Sequence, residues 1–344
     1  MHIRTLLRRG RRQQIVEHMP ANMSTNIDEL VAATGAAKVD IVFVPGLGEQ
    51  PLDPWTASEG QTLWPKDFLP EDVEHARILV LNFQYDPKQP IEKYAGDFCA
   101  ILHRLRVKSN TTDIPIICVA HSLGGVIPAE VLVTGHASPE KSPLKEICQK
   151  IQGLMFFGTP FQGSKSRLFS EVVESLASQY DVSLDNLTEQ TKILCEPFAQ
   201  ALNRHLEENK QASAVTFYEA CTGPRVVDKT AGTIAFPNTE VGPKANALYS
   251  NNRDMAKFDD REDNFYKLVS GALKRMATVK GTDDKESGAA RSIHVGGNAE
   301  TVVGNNWIGD SLRGSGPVTK GNVGQIHMHG SPTRPGSKSD GSGS

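Results

Sequence analysis

Apolar and β-branched runs alternate with amphipathic stretches along most of the chain. The runs are short and end at Gly, Pro or polar residues, which is the pattern of buried strands. They predict strands at 39–44, 76–83, 114–119, 151–158 and 213–220. From residue 91 to residue 105 the apolar positions recur every three or four residues, which predicts an amphipathic helix facing the core. Strands alternating with helices predict an α/β fold, with a mostly parallel sheet covered by helices on both faces.

The third predicted strand runs directly into a tight turn that contains a serine. Residues 114–126 read IPIICVAHSLGGV, and the stretch that follows them predicts a helix. A strand, a sharp turn and a helix form the nucleophile elbow of an α/β hydrolase, which lifts a serine hydroxyl above the carboxyl end of the sheet. Ser122 is therefore the candidate nucleophile.

A glycine-containing loop, PGLG at 45–48, follows the first predicted strand. In α/β hydrolases the loop after an early strand supplies one backbone N–H of the oxyanion hole, and the residue after the nucleophile supplies the other. Leu47 and Leu123 are the candidates for these amides, and Gly46 lets the backbone approach a ligand closely. The same residues also suit an ordinary tight turn.

Two further segments are expected to lie near this edge of the sheet. Residues 51–70 are rich in Pro and Trp and have no clear period, which predicts a long loop. In that loop Trp55 and Trp64 either line a substrate cleft or hold the loop in place. Residues 164–210 are mostly helical and charged in pattern and predict a cap, on which His205 is expected at the surface.

The composition indicates a soluble, intracellular protein. Of the 344 residues, 38% are hydrophobic and 22% charged, and the net charge of −3 gives no electrostatic reason to expect nucleic acid. The five cysteines are widely spaced without a CxxC pair, which favours a reducing compartment over a disulfide framework or a zinc site. No apolar run reaches the roughly 18 residues of a membrane span. We therefore expect a cytoplasmic protein with no cofactor and no metal.

The two ends of the chain differ in composition from its middle. The predicted division is a basic, disordered extension at 1–37, a globular domain at 38–280 and a Gly/Asn/Ser-rich tail at 281–344. The extension begins with five arginines and no acidic residue in its first 16 positions, which resembles a mitochondrial presequence and allows import. A disordered basic extension, or translation from Met19 or Met23, are the alternatives.

The tail contains too few large apolar residues to fold as an ordinary domain. Its short β-prone islands lie at 292–297, 301–309 and 322–330. Islands of this kind with Gly and Asn at their corners can stack as a cross-β assembly, so an amyloid-forming motif is predicted near 292–330, with a disordered linker as the alternative. His327 and His329 form an HxH pair without acidic or cysteine partners, so a metal site is not expected there.

Five motifs in the correct order carry a family resemblance. They are VFVPGLG, AHSLGG, MFFGTPFQGS, TFYEA and SNNRDMAKFDDREDNFYKL. Across 39–277 the chain resembles the intracellular SesB-type lipase/esterase-like α/β hydrolases of fungi, whose domains also occur at the N-termini of fungal NOD-like receptors. The resemblance implies an α/β-hydrolase fold, serine esterase or lipase activity on an ester or lipid acyl substrate, and an effector role in fungal innate immunity and incompatibility.

The tail resembles the prion-like amyloid signalling motifs that fungi place on effectors of NOD-like receptors. The resemblance implies a NOD-like receptor, or self-assembly through the tail, as the partner beside the acyl substrate. Peripheral contact with a membrane is compatible with a lipid substrate, whereas no nucleic-acid partner is expected.

A serine hydrolase of this fold carries its triad in the chain order Ser, Asp/Glu, His. Glu219, at the end of the TFYE strand, lies where the fold usually places the acid, and Asp228 in the following loop is the second choice. An ordinary loop or surface role fits either carboxylate equally well.

The expected base is replaced by an amide. The last family motif resembles A-N-H-R-D-M-x-K-F, and Asn252 occupies the histidine position. An amide does not accept the serine proton near neutral pH, and loss of the base in subtilisin lowers turnover by on the order of 10⁶. No histidine lies between His205 and His294, and the elbow turns the side chain of His121 away from Ser122.

A second departure concerns the oxyanion loop. Pro45 stands where the family usually has the histidine of a His-Gly loop, and Glu49 stands where it often has glycine.

The sequence leaves three hypotheses about function. The first is a serine esterase or lipase, and the second is a catalytically impaired hydrolase fold used as a binding or effector module that its tail activates. The third is a self-assembling protein with a globular cargo.

Overall fold

A computed structural model describes residues 25–57, 61–161, 171, 173–174, 176–178, 183–221, 225–234 and 245–278. Within this part of the chain, seven strands form one sheet. They are β1 (Asn26–Val31), β2 (Val39–Val44), β3 (Ala76–Asn82), β4 (Ile116–His121), β5 (Ile151–Phe157), β6 (Ser213–Glu219) and β7 (Ala245–Leu248). Their order in the sheet is β1-β3-β2-β4-β5-β6-β7. Strand β1 is antiparallel to β3, and every other neighbouring pair is parallel.

Helices cover both faces of this sheet. They are α1 (Trp64–Asp67), α2 (Leu69–Asp72), α3 (Ile91–Lys108), α4 (Val126–Gly135), α5 (Pro143–Lys150), α6 (Leu184–Thr191), α7 (Glu196–Glu208) and α8 (Asn264–Ala277). Residues of α3, α4, α5 and α7 pack in one core, and those of α1, α2 and α8 pack in the other. Along β2, Val42 and Val44 enter the first core while Ile41 and Phe43 enter the second. A strand buried on both faces reads as a continuous apolar run, which is why the sequence shows it clearly.

The strand order and the position of the serine turn define an α/β-hydrolase fold, as the sequence predicts. The turn follows β4, which lies at the centre of the sheet between β2 and β5. The five predicted strands all form, and β2 has the predicted limits of 39–44. The helix predicted from residue 91 forms as α3, which buries its apolar stripe.

The two edge strands were not predicted. Strand β1 lies inside the segment 1–37, for which the composition predicts a disordered extension, and that prediction is wrong for Asn26–Val31. Two of the six residues in its sequence NIDELV are charged, and all six are exposed or half-buried. An edge strand needs backbone pairing, here to β3, more than it needs an apolar run. Strand β7 has only four residues.

The predicted long loop at 51–70 instead contains the short helix α1 and the first residues of α2, which ends at Asp72. Trp55 and Trp64 are fully buried, and both meet the ring of Phe43 edge-on at centroid distances of 4.9 and 5.3 Å. The indole N–H of Trp64 donates to the carbonyl of Ala256 at 2.7 Å. These tryptophans therefore hold the segment against the sheet and do not line a cleft.

A buried ion cluster lies at the amino ends of β2 and β3, opposite the serine turn. The Asp40 carboxylate is fully buried and accepts hydrogen bonds from Nε and Nη2 of Arg77 at 2.7 and 3.0 Å. Arg106, from the end of α3, donates to the same carboxylate. Burial lowers the pKa of Arg106, and the Asp40 charge opposes that shift. One carboxylate thus holds two buried guanidinium groups.

The prediction for His205 is wrong. The side chain was expected at the surface, but only 2% of the residue is exposed. Helix α7 presents an apolar stripe to the core, and Nε2 of His205 donates to the carbonyl of Ile151 at 2.6 Å. A satisfied hydrogen bond makes the burial of a neutral imidazole tolerable.

Several predictions fall on residues outside the described ranges. The arginine-rich start, most of 164–182 and the islands near 292–330 all lie there. Among the helices that the structure describes, none combines the length and the apolar character needed to cross a bilayer.

Candidate active site at the serine turn

Ser122 lies at a strained junction between β4 and α4. Strand β4 ends at His121, a 3-10 turn covers Ser122–Gly125, and α4 begins at Val126. The φ of Ser122 is 48°, in the left-handed region that residues other than glycine rarely adopt. Such strain persists where the surroundings impose it, and it is the backbone signature of a nucleophile elbow.

Two glycines let the turn fit between neighbouring loops. A Cβ on Gly124 would lie 2.0 Å from the carbonyl oxygen of Pro45, in the loop after β2. A Cβ on Gly125 would lie 2.6 Å from the side chain of Thr159, in the loop after β5. The hydroxyl of Thr159 donates to the carbonyl of Ser122 at 2.9 Å. Thr159 thus helps to hold the turn, a role that no sequence motif indicated.

The candidate oxyanion amides belong to two segments, the loop after β2 for Leu47 and the serine turn for Leu123. Leu47 and Leu123 are both buried, and Leu123 is the second residue of the 3-10 turn, where N–H groups have no acceptor within the turn. The amide of Gly46 already donates to Oε2 of Glu49 at 2.7 Å. A Cβ on Gly46 would lie 2.5 Å from the same carboxylate oxygen, so Glu49 fills the space next to this glycine.

His121 links the oxyanion loop to the loop that contains Asn252. Its Nδ1 lies 2.9 Å from Oε2 of Glu49, and its Nε2 lies 2.8 Å from the backbone oxygen of Asn252. A carbonyl oxygen only accepts hydrogen bonds, so Nε2 carries a hydrogen. Both ring nitrogens are thus engaged away from Ser122, and His121 acts as a brace for the loops and not as the base.

The pKa values of this pair are shifted in opposite directions. Burial alone would lower the pKa of His121, but the charge and hydrogen bond of Glu49 outweigh it and raise the pKa. Burial alone would raise the pKa of Glu49, but the charge of His121, its hydrogen bond and the Gly46 amide lower it. Glu49 of the loop therefore has a physical partner in His121, which no sequence pattern indicated.

The substitution Glu49→Gln is expected to destabilise the protein most in mildly acidic solution. The raised pKa of His121 contributes stability below its unfolded value of 6.5, and this is lost as pH rises through the folded pKa. The lowered pKa of Glu49 contributes stability above its unfolded value of 4.5, and this is lost as pH falls through the folded pKa. Urea unfolding should show a loss of about 1 kcal/mol near pH 5.5 and a smaller loss near pH 9. Equal losses at both pH values would contradict the ion pair.

Glu219 is buried at the carboxyl end of β6, with 1% of the residue exposed. Its Oε1 accepts a hydrogen bond from the amide of Val227 at 2.6 Å. Among the described residues, Oε2 receives no hydrogen bond of good geometry. Burial raises the pKa of Glu219, and the backbone N–H groups of Val227, Val226 and Asn252 partly oppose that shift. Glu219 is thus a buried carboxyl group beside the backbone of Asn252.

Asp228, the second candidate acid, lies in a different environment. It is exposed, and its Oδ1 accepts a hydrogen bond from the amide of Ala231 at 2.9 Å, within the turn that follows Val227. This is the usual role of an aspartate in a turn. Of the two carboxylates, Glu219 is the one that contacts the Asn252 segment.

Asn252 is tied to the loops that surround Ser122. Its Nδ2 donates to the carbonyl of Gly158 at 3.1 Å, and its backbone oxygen contacts His121. The φ of Gly158 is +59°, and a Cβ on this glycine would lie 2.1 Å from Nδ2 of Asn252. The structure therefore brings the three predicted triad positions to the carboxyl ends of β4, β5 and β6, with an amide in place of the imidazole.

Comparisons with known proteins give distant similarities. No protein-family model matches the chain. Protein SERAC1 of Mus musculus is 24% identical over 155 residues, which are 39% of this chain and 23% of that protein. Protein SERAC1 of Danio rerio is 23% identical over 163 residues, which are 40% of this chain and 24% of that protein. The chain spans about a quarter of the length of these relatives.

Solved structures with a similar backbone fold include hydrolases. A soluble variant of monoglyceride lipase from Saccharomyces cerevisiae, in complex with a substrate analogue, has a TM-score of 0.47 at 9% identity and covers 74% of this chain and 90% of its own. A carboxylesterase structure from Nitrososphaera gargenis has a TM-score of 0.44 at 11% identity and covers 75% of this chain and 97% of its own.

Proposed function

We propose that the chain is a serine-hydrolase-type protein that binds an ester or lipid acyl substrate at the turn after β4, with Ser122 as the nucleophile. The left-handed backbone of Ser122 is the observation that supports this most directly. A strained serine between a central strand and a helix lowers the stability of the fold. Backbone strain of this kind occurs at functional sites, and in a nucleophile elbow it exposes the serine hydroxyl to the substrate.

The reaction is acyl transfer. The Ser122 oxygen attacks the ester carbonyl carbon and forms a tetrahedral intermediate whose oxyanion lies near the amides of Leu47 and Leu123. The intermediate collapses as the bond from carbon to the alcohol oxygen breaks, and the alcohol leaves with a proton from solvent. The acyl-serine that remains is then hydrolysed by water, which releases the acid and restores Ser122. The serine proton needs an acceptor when the new bond forms. Asn252 is not a base, so the proton passes to solvent and the attack is slow.

A second candidate function is that of a binding or effector module with an impaired site. Two observations favour it: the side-chain amide of Asn252 is hydrogen-bonded to Gly158, and the buried acid Glu219 has a raised pKa and contacts no imidazole among the residues that the structure describes. In this form the fold keeps an acyl-binding site and loses turnover. The two functions differ in rate and share the same site.

The biological setting is inferred from the motif resemblance alone. We propose an effector role in fungal innate-immunity or incompatibility signalling, with the tail at 281–344 as the trigger through amyloid templating or a NOD-like receptor. Import into mitochondria directed by the arginine-rich start, and peripheral contact with a lipid surface, are further proposals of the same kind.

Labelling with a fluorophosphonate tests the nucleophile. The probe forms a stable phosphonyl ester with an activated serine and releases fluoride, so we expect a slow, stoichiometric adduct on the full-length chain that the variant Ser122→Ala lacks. Ser138→Ala, in the turn after α4, is the matched control and should label like the unmodified protein. Identical labelling of the protein and of Ser122→Ala would overturn Ser122 as the nucleophile.

A further inference from the structure

Two histidines and a cysteine meet where α4, α5 and α7 pack together, away from the serine turn. His136 follows the last residue of α4, Cys148 lies in α5, and His205 lies in α7. One ligand atom from each of the three lies within 4.8 Å of the others. Helix α4 has 10 residues, so its end is about 15 Å from the serine turn at 1.5 Å per residue. The cluster is thus separate from the candidate active site.

His136, a member of this cluster, has a buried ring nitrogen without a hydrogen-bond partner in the described part of the chain. Its Nδ1 lies 3.3 Å from Oε2 of Glu208, and its side chain is only 9% exposed. Since a carboxylate accepts hydrogen bonds, Nδ1 carries the hydrogen and Nε2 holds a lone pair. Nε2 is buried and has no hydrogen-bond partner within the described part of the chain. A buried acceptor without a donor costs free energy, which a bound cation would recover.

His205 is held in the complementary tautomer. Its Nε2 donates to the carbonyl of Ile151 at 2.6 Å, so Nδ1 holds the lone pair. The rings of His136 and His205 meet edge-on with centroids 5.4 Å apart. Metal-binding histidines usually donate their second N–H to a carboxylate or a backbone carbonyl, which fixes the ring. Glu208 and Ile151 supply these two kinds of acceptor here.

Cys148 completes the donor set because a glycine allows close packing. The cysteine is fully buried, and a Cβ on Gly135 would lie 2.5 Å from its Cβ and 2.8 Å from its Sγ. Glycine at the end of α4 thus lets α5 bring the sulfur beside His136. Burial raises the pKa of the Cys148 thiol to about 12, so the thiol stays protonated without a cation.

We propose that His136, Cys148 and His205 bind a zinc ion that joins α4, α5 and α7. Two imidazoles and one thiolate are donors that Zn²⁺ prefers, and three protein ligands leave the fourth position to water. In a tetrahedral zinc site such atoms lie roughly 3.3 to 3.6 Å apart, so atoms that lie within 4.8 Å here must approach one another by up to about 1.5 Å. Both imidazoles enter neutral, and binding releases the Cys148 proton to solvent.

No sequence pattern indicates this cluster, because its members are far apart along the chain and form no metal motif. A cation there would hold α7, which belongs to the predicted cap segment, against the helix that begins at the serine turn.

Metal titration of the full-length chain tests the site. After dialysis against EDTA, the protein should bind one equivalent of Zn²⁺ and unfold at a higher temperature when the ion is present. With Co²⁺ as the probe, a thiolate-to-metal charge-transfer band is expected, and Cys148→Ser should abolish it. Cys195→Ser removes an exposed cysteine outside the cluster and should leave the band unchanged.

Two further variants distinguish Zn²⁺ binding at this cluster from Zn²⁺ binding elsewhere on the chain. Glu208→Ala changes a largely exposed side chain, so the fold should be retained while the Zn²⁺ affinity falls about 10- to 100-fold through loss of the outer acceptor. The double variant His327→Ala/His329→Ala removes the HxH pair of the tail and should bind like the unmodified protein. Absence of Zn²⁺ binding at micromolar ion, or binding that Cys148→Ser and Glu208→Ala leave unchanged, would overturn the proposal.

Discussion

The variant Asn252→His is expected to hydrolyse a short-chain ester about 10²- to 10⁴-fold faster than the unmodified protein, which is the usual contribution of a positioned general base. The imidazole would accept the Ser122 proton during attack and return it to the leaving alcohol. Glu219 would orient the ring through the carboxylate oxygen that lacks a well-formed hydrogen bond in the described structure.

The position of residue 252 supports this expectation. The backbone of Asn252 contacts His121, which precedes Ser122, and an N–H of the same residue interacts with Glu219. The side chain must leave Gly158 to reach the site, and the hydrogen bond lost there costs about 1 kcal/mol of stability. The gain in rate is therefore expected together with a slightly lower unfolding temperature.

Esterase assays and fluorophosphonate labelling measure this gain. The double variant Ser122→Ala/Asn252→His should return to background in both assays, and Asn252→Gln, which keeps an amide, should behave like the unmodified protein. If Asn252→His folds and shows no gain in either assay, the assignment of residue 252 as the vacant base position is wrong.

Asp40→Asn is expected to lower the free energy of unfolding by about 3 to 5 kcal/mol, the usual cost of removing one partner from a buried ion pair. The carboxylate is fully buried and holds both Arg77 and Arg106, so neutralising it leaves two guanidinium groups without a counter-charge. Arg106 also donates to the carbonyls of Thr112 and Ile114, which fixes the chain entering β4.

Urea unfolding followed by circular dichroism measures this loss. Asp97→Asn is the matched control, because Asp97 pairs with Lys93 on the exposed side of α3 and such pairs contribute about 0.5 kcal/mol or less. A loss below about 1 kcal/mol in Asp40→Asn would show that the cluster is not the strong electrostatic contact that its burial indicates.

Prediction from the sequence succeeded where the structure of a segment depends on the residues of that segment alone. The run of apolar residues in β2 and the serine turn after β4 are local patterns, since burial on both faces and the strand-turn-helix junction require particular residues at adjacent positions. It failed for β1, because an edge strand is stabilised by hydrogen bonds to β3 and needs no apolar run. It failed for His205 because the acceptor at Ile151 lies on another element.

In the candidate site too, local residue patterns were predictable and contacts between separate elements were not. The sequence alone determined that Ser122 stands in an elbow pattern, that residue 252, which aligns with the histidine of the resembled motif, is an asparagine, and that an acidic residue, Glu49, follows the PGLG loop. Only the tertiary structure decided that Glu49 pairs with His121, that Glu219 is the carboxyl group beside Asn252, and which histidines and cysteine meet behind α4. The physical reason is that these contacts join residues from separate loops and helices, whose distances are set by the packing of the whole sheet.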